Sequence, residues 1–366
     1  MSSTKNCVIA HDYLTQKGGA ERVTLDMVKA FNPELIITSV WNENSTFNEF
    51  MDYSIKESFL KHFKVFRRDP RFALPLLPFA WRFMKKIDSG VVLCSSSGWS
   101  HAIRTSSRTK KIVYCHNPAR WIYQDQDYFL KSGKLVKALW ALAKRPLRFL
   151  DKIAARSADC YVANSTSVAA RIRHAYGIEA RVVFPPVSID VHAPREPVVA
   201  LEPGYFLVVS RSRGYKGTQT IIDAFCQLPD HRLVIIGGDN FGNFSPNIRS
   251  LGHVSDAQLR WLYAHAVALV SLSREDFGLT PIEANAFGTP ALVLRAGGFL
   301  DTTQEGTSGL FVDEATVPAL VRAVADFPDH WDKKRIAANA ERFSLNAFTA
   351  NLSAIIDDVI GRKGST

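Results

Sequence analysis

The feature that most constrains this chain is a rhythm of short apolar runs, each followed by a stretch of helical periodicity, repeated in two series. The first series predicts strands at Cys7–Ala10, Leu35–Val40, Val91–Cys94, Lys111–Cys115, Cys160–Asn164 and Arg181–Phe184. The second predicts them at Tyr205–Ser210, Leu233–Ile236, Val267–Leu272, Ala291–Leu294 and Leu310–Val312. Strands buried on both faces read as continuous apolar runs, and strands alternating with helices build parallel sheets. Ligand-binding loops of such sheets lie at the strands' C-terminal ends. Between the series, Pro185, Pro186, Pro194, Pro197 and Pro203 break the periodicity and mark a linker. A chain of 366 residues is too long for one ordinary core and suits two α/β domains, residues 1–190 and 195–344.

The densest signal runs from Val267 to Gly298, VALVSLSREDFGLTPIEANAFGTPALVLRAGG. Its apolar run ends near Ser273. Gly278 then permits a tight turn, Thr280 can cap a helix and Pro281 suits its first position, which carries Glu283 in the first turn. Amides at such a helix start, on the positive end of the dipole, suit an anion, most naturally a phosphate. Glu275 and Glu283 flank these amides. Carboxylates repel phosphate and accept from hydroxyls, so a ligand with hydroxyls on both sides of a phosphate, a nucleotide sugar, satisfies the pattern. Two acids that simply favour a helix dipole also account for the pair taken alone.

Three further loops follow predicted strands. His11-Asp12-Tyr13 leads to Gly18-Gly19, a turn that opens a helix and can bring amides to a phosphate, without G-x-G-x-x-G spacing. His116, after the fourth strand, is either a ligand contact at the sheet edge or a satisfied core histidine, and Ser95 to His101 holds the equivalent place after the third. Arg211 and Lys216 share a glycine-containing loop, where they either reach one diphosphate or remain two solvated cations.

The formal net charge of +10 calls for an anionic partner. Lys56, Lys61, Lys64, Arg67, Arg68, Arg71, Arg82, Lys85 and Lys86 alternate with Phe59, Phe63, Phe66, Phe72, Phe79, Trp81 and Phe83. A second basic and apolar cluster surrounds LVKALWALAKRPLRFL. Either an anionic membrane surface or a set of solvated basic helix faces explains the mixture. No nucleic-acid motif accompanies the charge. No apolar run reaches the ~20 residues of a membrane span and no signal-like h-region opens the chain, so a cytoplasmic protein is expected. Cys7, Cys94, Cys115, Cys160 and Cys226 lack C-x-x-C spacing and read as reduced, buried thiols. Nothing resembles the clustered aspartates of a divalent-metal site.

Taken in order, Gly18-Gly19, His116, the proline linker, Arg211 with Lys216, EDFGLTPIE and EANAFGTPALVLRAGG resemble glycosyltransferase family four over nearly the whole chain. The resemblance implies GT-B architecture, an α/β fold of two Rossmann-like domains facing across a cleft, with a C-terminal helix (about 345–366) returning to the N-terminal domain. It implies retaining transfer of a hexose, with acceptor bound by the first domain and donor by the second. HDYLTQKGGAERV and YCHNPARWIYQ are most similar to bacterial O-antigen and exopolysaccharide mannosyltransferases. That similarity implies GDP-mannose as donor, with UDP-sugars second, and a lipid-linked saccharide or glycan acceptor at the inner face of the cell membrane. It also implies catalytic roles for His116, Arg211, Lys216 and Glu275: His116 against the transferred sugar, the two cations on the diphosphate, Glu275 on sugar hydroxyls. Gly18, Gly19, Phe277, Gly278, Leu279, Thr280 and Glu283 are implied to bind the donor, Glu283 through its ribose. No cofactor or metal is expected, because the cations and the helix N-terminus face the charge that grows on the leaving diphosphate. An epimerase or phosphorylase on the same architecture, and a catalytically silent nucleotide-sugar-binding scaffold, are the competing classes.

Overall fold

The computed structural model describes residues 6–124, 133–187, 189–210, 217–238 and 245–361. They fall into two units: the chain up to Pro185 together with the chain from Phe348, and Pro186 to Ala347. Arg211 and Lys216 lie outside the described residues.

The first unit is built on a seven-stranded parallel sheet in the order β3-β2-β1-β4-β5-β6-β7. The strands are β1 Cys7–His11, β2 Leu35–Thr38, β3 Ile55–Glu57, β4 Val91–Ser96, β5 Lys110–Cys115, β6 Cys160–Ala163 and β7 Arg181–Val182. β3 is not among the predicted strands: Ile55-Lys56-Glu57 has one apolar residue, and it is held as an edge by backbone pairing with β2. The order reverses between β1 and β4. That puts His11 and Ser95, at the ends of those strands, where open α/β sheets bind their ligands.

Successive residues of a strand face opposite sides, so Val8 and Ala10 join one core and Cys7 and Ile9 the other. The helices Gly19–Phe31 and Leu345–Gly361 cover the second face. In the latter, Phe348, Leu352, Ile355, Ile356 and Val359 recur at helical spacing and are all buried. Phe348 meets Tyr114 edge-on with ring centroids 5.6 Å apart, and Asp358 pairs with Arg181. The C-terminal helix therefore does return to the N-terminal unit. The opposite face is covered by residues 59–84, by the helix Lys134–Ala155 and by the helix Thr166–Tyr176.

The second unit carries six parallel strands in the order β10-β9-β8-β11-β12-β13. These are β8 Tyr205–Val209, β9 Leu233–Ile236, β10 Ile248–Gly252, β11 Ala266–Ser271, β12 Ala291–Leu294 and β13 Gly309–Val312. β10, too polar to read as a buried strand, is again an edge. Here the order reverses between β8 and β11. None of the five cysteines forms a disulfide, but Cys226 is exposed, which corrects the buried reading for that thiol: it caps the C-terminal end of the helix Thr218–Phe225 and belongs to no strand.

Candidate functional site

In the second unit β11 leads through Glu275 to the helix Leu279–Ala286. Its N-cap is Gly278 at φ 87°, not Thr280. The correction shifts Thr280 to the second position, Pro281 to the third, and Glu283 out of the first turn. A left-handed cap costs glycine little, and a proline at the third position still replaces no intrahelical hydrogen bond. The amides of Gly278, Leu279 and Thr280 thus stand outside the helix's own ladder, at its positive end.

Both carboxylates are held. The Ser273 hydroxyl donates to Glu275 Oε1 at 3.1 Å, and the Gly298 N–H donates to the Glu275 carbonyl at 3.0 Å. A Cβ on Gly297 would come within 3.0 Å of that carbonyl, one on Gly298 within 3.0 Å of the Phe277 backbone, and one on Gly278 within 3.0 Å of the Phe299 ring. The loop bearing Glu275, Phe277 and Gly278 is therefore moulded by backbone-to-backbone contact with Gly297-Gly298. On the other side, the Tyr263 hydroxyl donates to Glu283 Oε2 at 2.7 Å. Burial and the adjacent Glu283 push this phenol well above its ordinary range, so it remains a neutral donor. Sequence reasoning missed Tyr263, because an aromatic on the buried stripe of the helix Asp256–His265 reads as core. The site helix is anchored from below: Asn339 Nδ2 donates to Asn285 Oδ1 and to the Thr302 carbonyl, each at 2.8 Å.

Gly217 adopts φ 66°, and a Cβ there would meet Leu272 within 3.0 Å. Ser210, directly after β8, and Gly217, against the residue after β11, thus both lie at the sheet's reversal point.

In the first unit Gly18 is the N-cap of the helix that Gly19 begins. Asp12, directly after β1, organises the neighbouring loop: its carboxylate accepts from the amides of Ser97, Trp99 and Ser100 at 2.6–2.7 Å. Beside it runs a buried polar chain. Ser95 Oγ lies 2.7 Å from His116 Nε2, 2.7 Å from Thr24 Oγ1 and 3.0 Å from His11 Nδ1. The Thr24 hydroxyl donates to the Ala20 carbonyl at 2.8 Å. With that proton spent, the Ser95–Thr24 contact needs the Ser95 proton, so the chain is self-consistent when Ser95 donates to Thr24 and the His116 Nε2–H donates to Ser95. Gly18, Gly19 and His116 are thereby brought to one end of the sheet, linked through Ser95, which belongs to the segment expected at the equivalent place after the third strand, and through Thr24, which had no predicted role.

Burial, with the nearby His11 charge, drives His116 down from 6.5 to about 3. Its neutral form is what the fold accommodates, so at neutral pH His116 can act as a hydrogen-bond partner but not as a cation. The sign follows: below pH ~6.5 the unfolded chain takes up a proton that the folded chain refuses, and stability drops by up to about 1.4 kcal/mol per pH unit until the folded pKa is approached. Comparing melting temperatures of wild type and His116→Asn from pH 7 to pH 5 should show the wild-type advantage shrinking with acidity. A constant difference would contradict a buried neutral imidazole.

Among the described residues no group of three His, Cys, Asp or Glu side chains is placed to hold a metal ion.

Two family models divide the chain: residues 17–191 match Glycosyltransferase Family 4 and residues 193–343 match Glycosyl transferases group 1. A D-inositol 3-phosphate glycosyltransferase of Corynebacterium glutamicum is 28% identical over 57% of this chain and 59% of its own length. The alpha-1,3/1,6-mannosyltransferase ALG2 of Kluyveromyces lactis is 26% identical over 53% of this chain and 48% of its own. The chain thus spans about half of the curated relatives it matches. Among solved structures, Anabaena HepE in complex with UDP-glucose superposes with TM-score 0.67 at 16% identity, covering 96% of this chain and 100% of that one, which establishes the GT-B fold. With its first half matched by the Glycosyltransferase Family 4 model and its second by the Glycosyl transferases group 1 model, in that order, the chain belongs to glycosyltransferase family four.

Proposed function

We propose that this protein is a retaining glycosyltransferase that moves mannose from GDP-mannose to a lipid-linked saccharide or glycan acceptor. The observation that carries the reading is the arrangement of Glu275 and Glu283 about the Gly278-Leu279-Thr280 amides, each carboxylate oriented by a hydroxyl, from Ser273 and Tyr263. Amides suit the diphosphate, Glu275 the hexose hydroxyls and Glu283 the ribose. Arg211 and Lys216 hold the diphosphate and stabilise its growing charge, without a metal. The donor choice draws on the resemblance and on a mannosyltransferase among the relatives, whereas the UDP-glucose complex of HepE favours a UDP-sugar.

Melting temperatures with GDP and with UDP discriminate the donors, since a ligand at one hundred times its Kd stabilises by about 2.7 kcal/mol. Glu283→Gln should weaken the preferred nucleotide by about 1.5–3 kcal/mol and Tyr263→Phe by less, with Tyr263→Phe leaving the fold intact. Stabilisation by neither nucleotide would overturn the donor site. Labelled GDP-mannose with a lipid-linked acceptor then separates transfer from an epimerised donor and from a silent binder.

We further assign the peripheral surface to the first unit. Residues 59–82 form short elements punctuated by prolines, Phe59–His62, Lys64–Arg68, Pro70–Leu76 and Leu77–Arg82. Phe63, Phe72, Phe79 and Phe83 are 51%, 65%, 47% and 70% exposed, among the exposed Lys61, Lys64, Arg68, Arg82, Lys85 and Lys86. On the same sheet face the helix Lys134–Ala155 turns Leu147, Asp151 and Ala155 inward and leaves Leu142 and Phe149 exposed. Apolar side chains set among cations suit the anionic inner leaflet, each cation contributing about 1 kcal/mol. Arg67 is excluded from that set by its pair with Glu57 at 3.1 Å. Among the described residues no helix is long and apolar enough to cross a membrane. Co-sedimentation should occur with anionic vesicles and not neutral ones, and should be lost in high salt or on replacing Lys64, Arg68, Lys85 and Lys86 with Gln. Equal binding to both vesicle types would show that charge is not the anchor.

A further inference from the structure

The ligand end of the first sheet contains a carboxyl for which the proposed transfer has no use. Glu21, third residue of the helix Gly19–Phe31, is 1% exposed. Gln16 Nε2 donates to its Oε1 at 3.0 Å, but Oε2 has no hydrogen-bond partner. Oε2 lies over the helix start: a Cβ on Gly18 would come within 3.0 Å of it. Gly18 has φ −101°, which any residue adopts, so glycine is required here for the closeness of that carboxyl and not for backbone conformation. Burial raises the Glu21 carboxyl above its ordinary range, with the charge of His11, the residue's own amide and Gln16 opposing and Asp12 adding to the rise. One turn further, Thr24 joins His11 and Ser95, and Ser95 holds His116.

A buried carboxyl oxygen left without a donor costs stability, so packing alone gives no reason for it. A phosphate is the wrong partner, because a carboxylate over the helix start repels it. A hydroxyl is the right one: it donates to the ionised carboxylate, and it accepts from the protonated acid. We propose that Glu21 binds a sugar hydroxyl at the first turn of this helix, which makes the carboxyl over Gly18 part of a saccharide subsite. The proposal rests on the transferase reading, which supplies two sources of that hydroxyl, the transferred hexose and the acceptor saccharide.

The test uses the full chain with Glu21→Gln, Glu21→Ala and, should either fold poorly, Gly18→Ala, which crowds the carboxyl. The probes are labelled GDP-mannose alone, for slow donor hydrolysis, GDP-mannose with a synthetic polyprenyl-diphosphate-linked saccharide, and GDP by itself for binding. The variants should raise a KM about tenfold or more with a smaller change in kcat and unchanged GDP affinity. A raised donor KM in hydrolysis assigns the hydroxyl to the hexose, and a rise confined to the acceptor KM assigns it to the acceptor. Unchanged KM values in the variants, or a loss of GDP affinity, overturn the proposal. A wild-type protein that neither binds GDP nor turns over GDP-mannose would instead refute the donor assignment above, a result that no Glu21 variant can produce.

Discussion

Deleting residues 345–366 should prevent the first unit from folding, although the helix Leu345–Gly361 contributes no strand to its sheet. The helix Leu345–Gly361 contributes Phe348, Leu352, Ile355, Ile356 and Val359 to the core that also holds Ile9, Leu93 and Ile112. Each such side chain is worth about 1.5–3 kcal/mol when buried, so the set rivals the ~5–15 kcal/mol that separates a folded domain from its unfolded state. The loss would also bare Tyr114 and strand Arg181 without Asp358. In a melting experiment the truncated chain should lose one transition and keep that of the second unit, whose core shares no residue with this helix. Leu352→Ala, at 0% exposure, is the graded version and should cost about 2–5 kcal/mol. A truncated chain that retains both transitions would show that the helix is dispensable.

The second large effect is expected at Gly297. Its φ of 62° taxes any other residue by about 1–2 kcal/mol. An added methyl would also press on the Glu275 carbonyl within 3.0 Å, and overpacking of that kind typically costs a further ~1–3 kcal/mol. Because that carbonyl belongs to the loop that presents Glu275, Gly297→Ala should lower stability and weaken nucleotide binding together. Gly306→Ala is the control: its φ is 71°, yet nothing lies within 4 Å of the new methyl, so only the conformational term of about 1–2 kcal/mol remains. Equal losses of stability in the two variants, with binding untouched in both, would mean that Gly297 is kept for its backbone angle alone and does not mould the site.

The two sheets were legible from sequence because parallel strands are buried on both faces, and burial writes itself as an uninterrupted apolar run. The same logic explains the omissions, for β3 and β10 are edges whose membership depends on backbone pairing that leaves no side-chain signature. Glu275, Glu283 and the glycines around them also announced themselves, since a turn, a helix start and flanking acids lie within one continuous stretch. Tertiary structure decided what the linear pattern could not. Gly278, rather than Thr280, caps the site helix, where the Phe299 ring and Gly297-Gly298 pack against the approaching loop. Tyr263 orients Glu283 from another helix, and His11, Thr24 and Ser95 hold His116 from three elements distant in sequence. In the sequence Glu21 is one acidic residue after the Gly18-Gly19 pair. Only the packing that buries its carboxyl above Gly18, with one oxygen unpartnered, distinguishes it from a solvated helix charge.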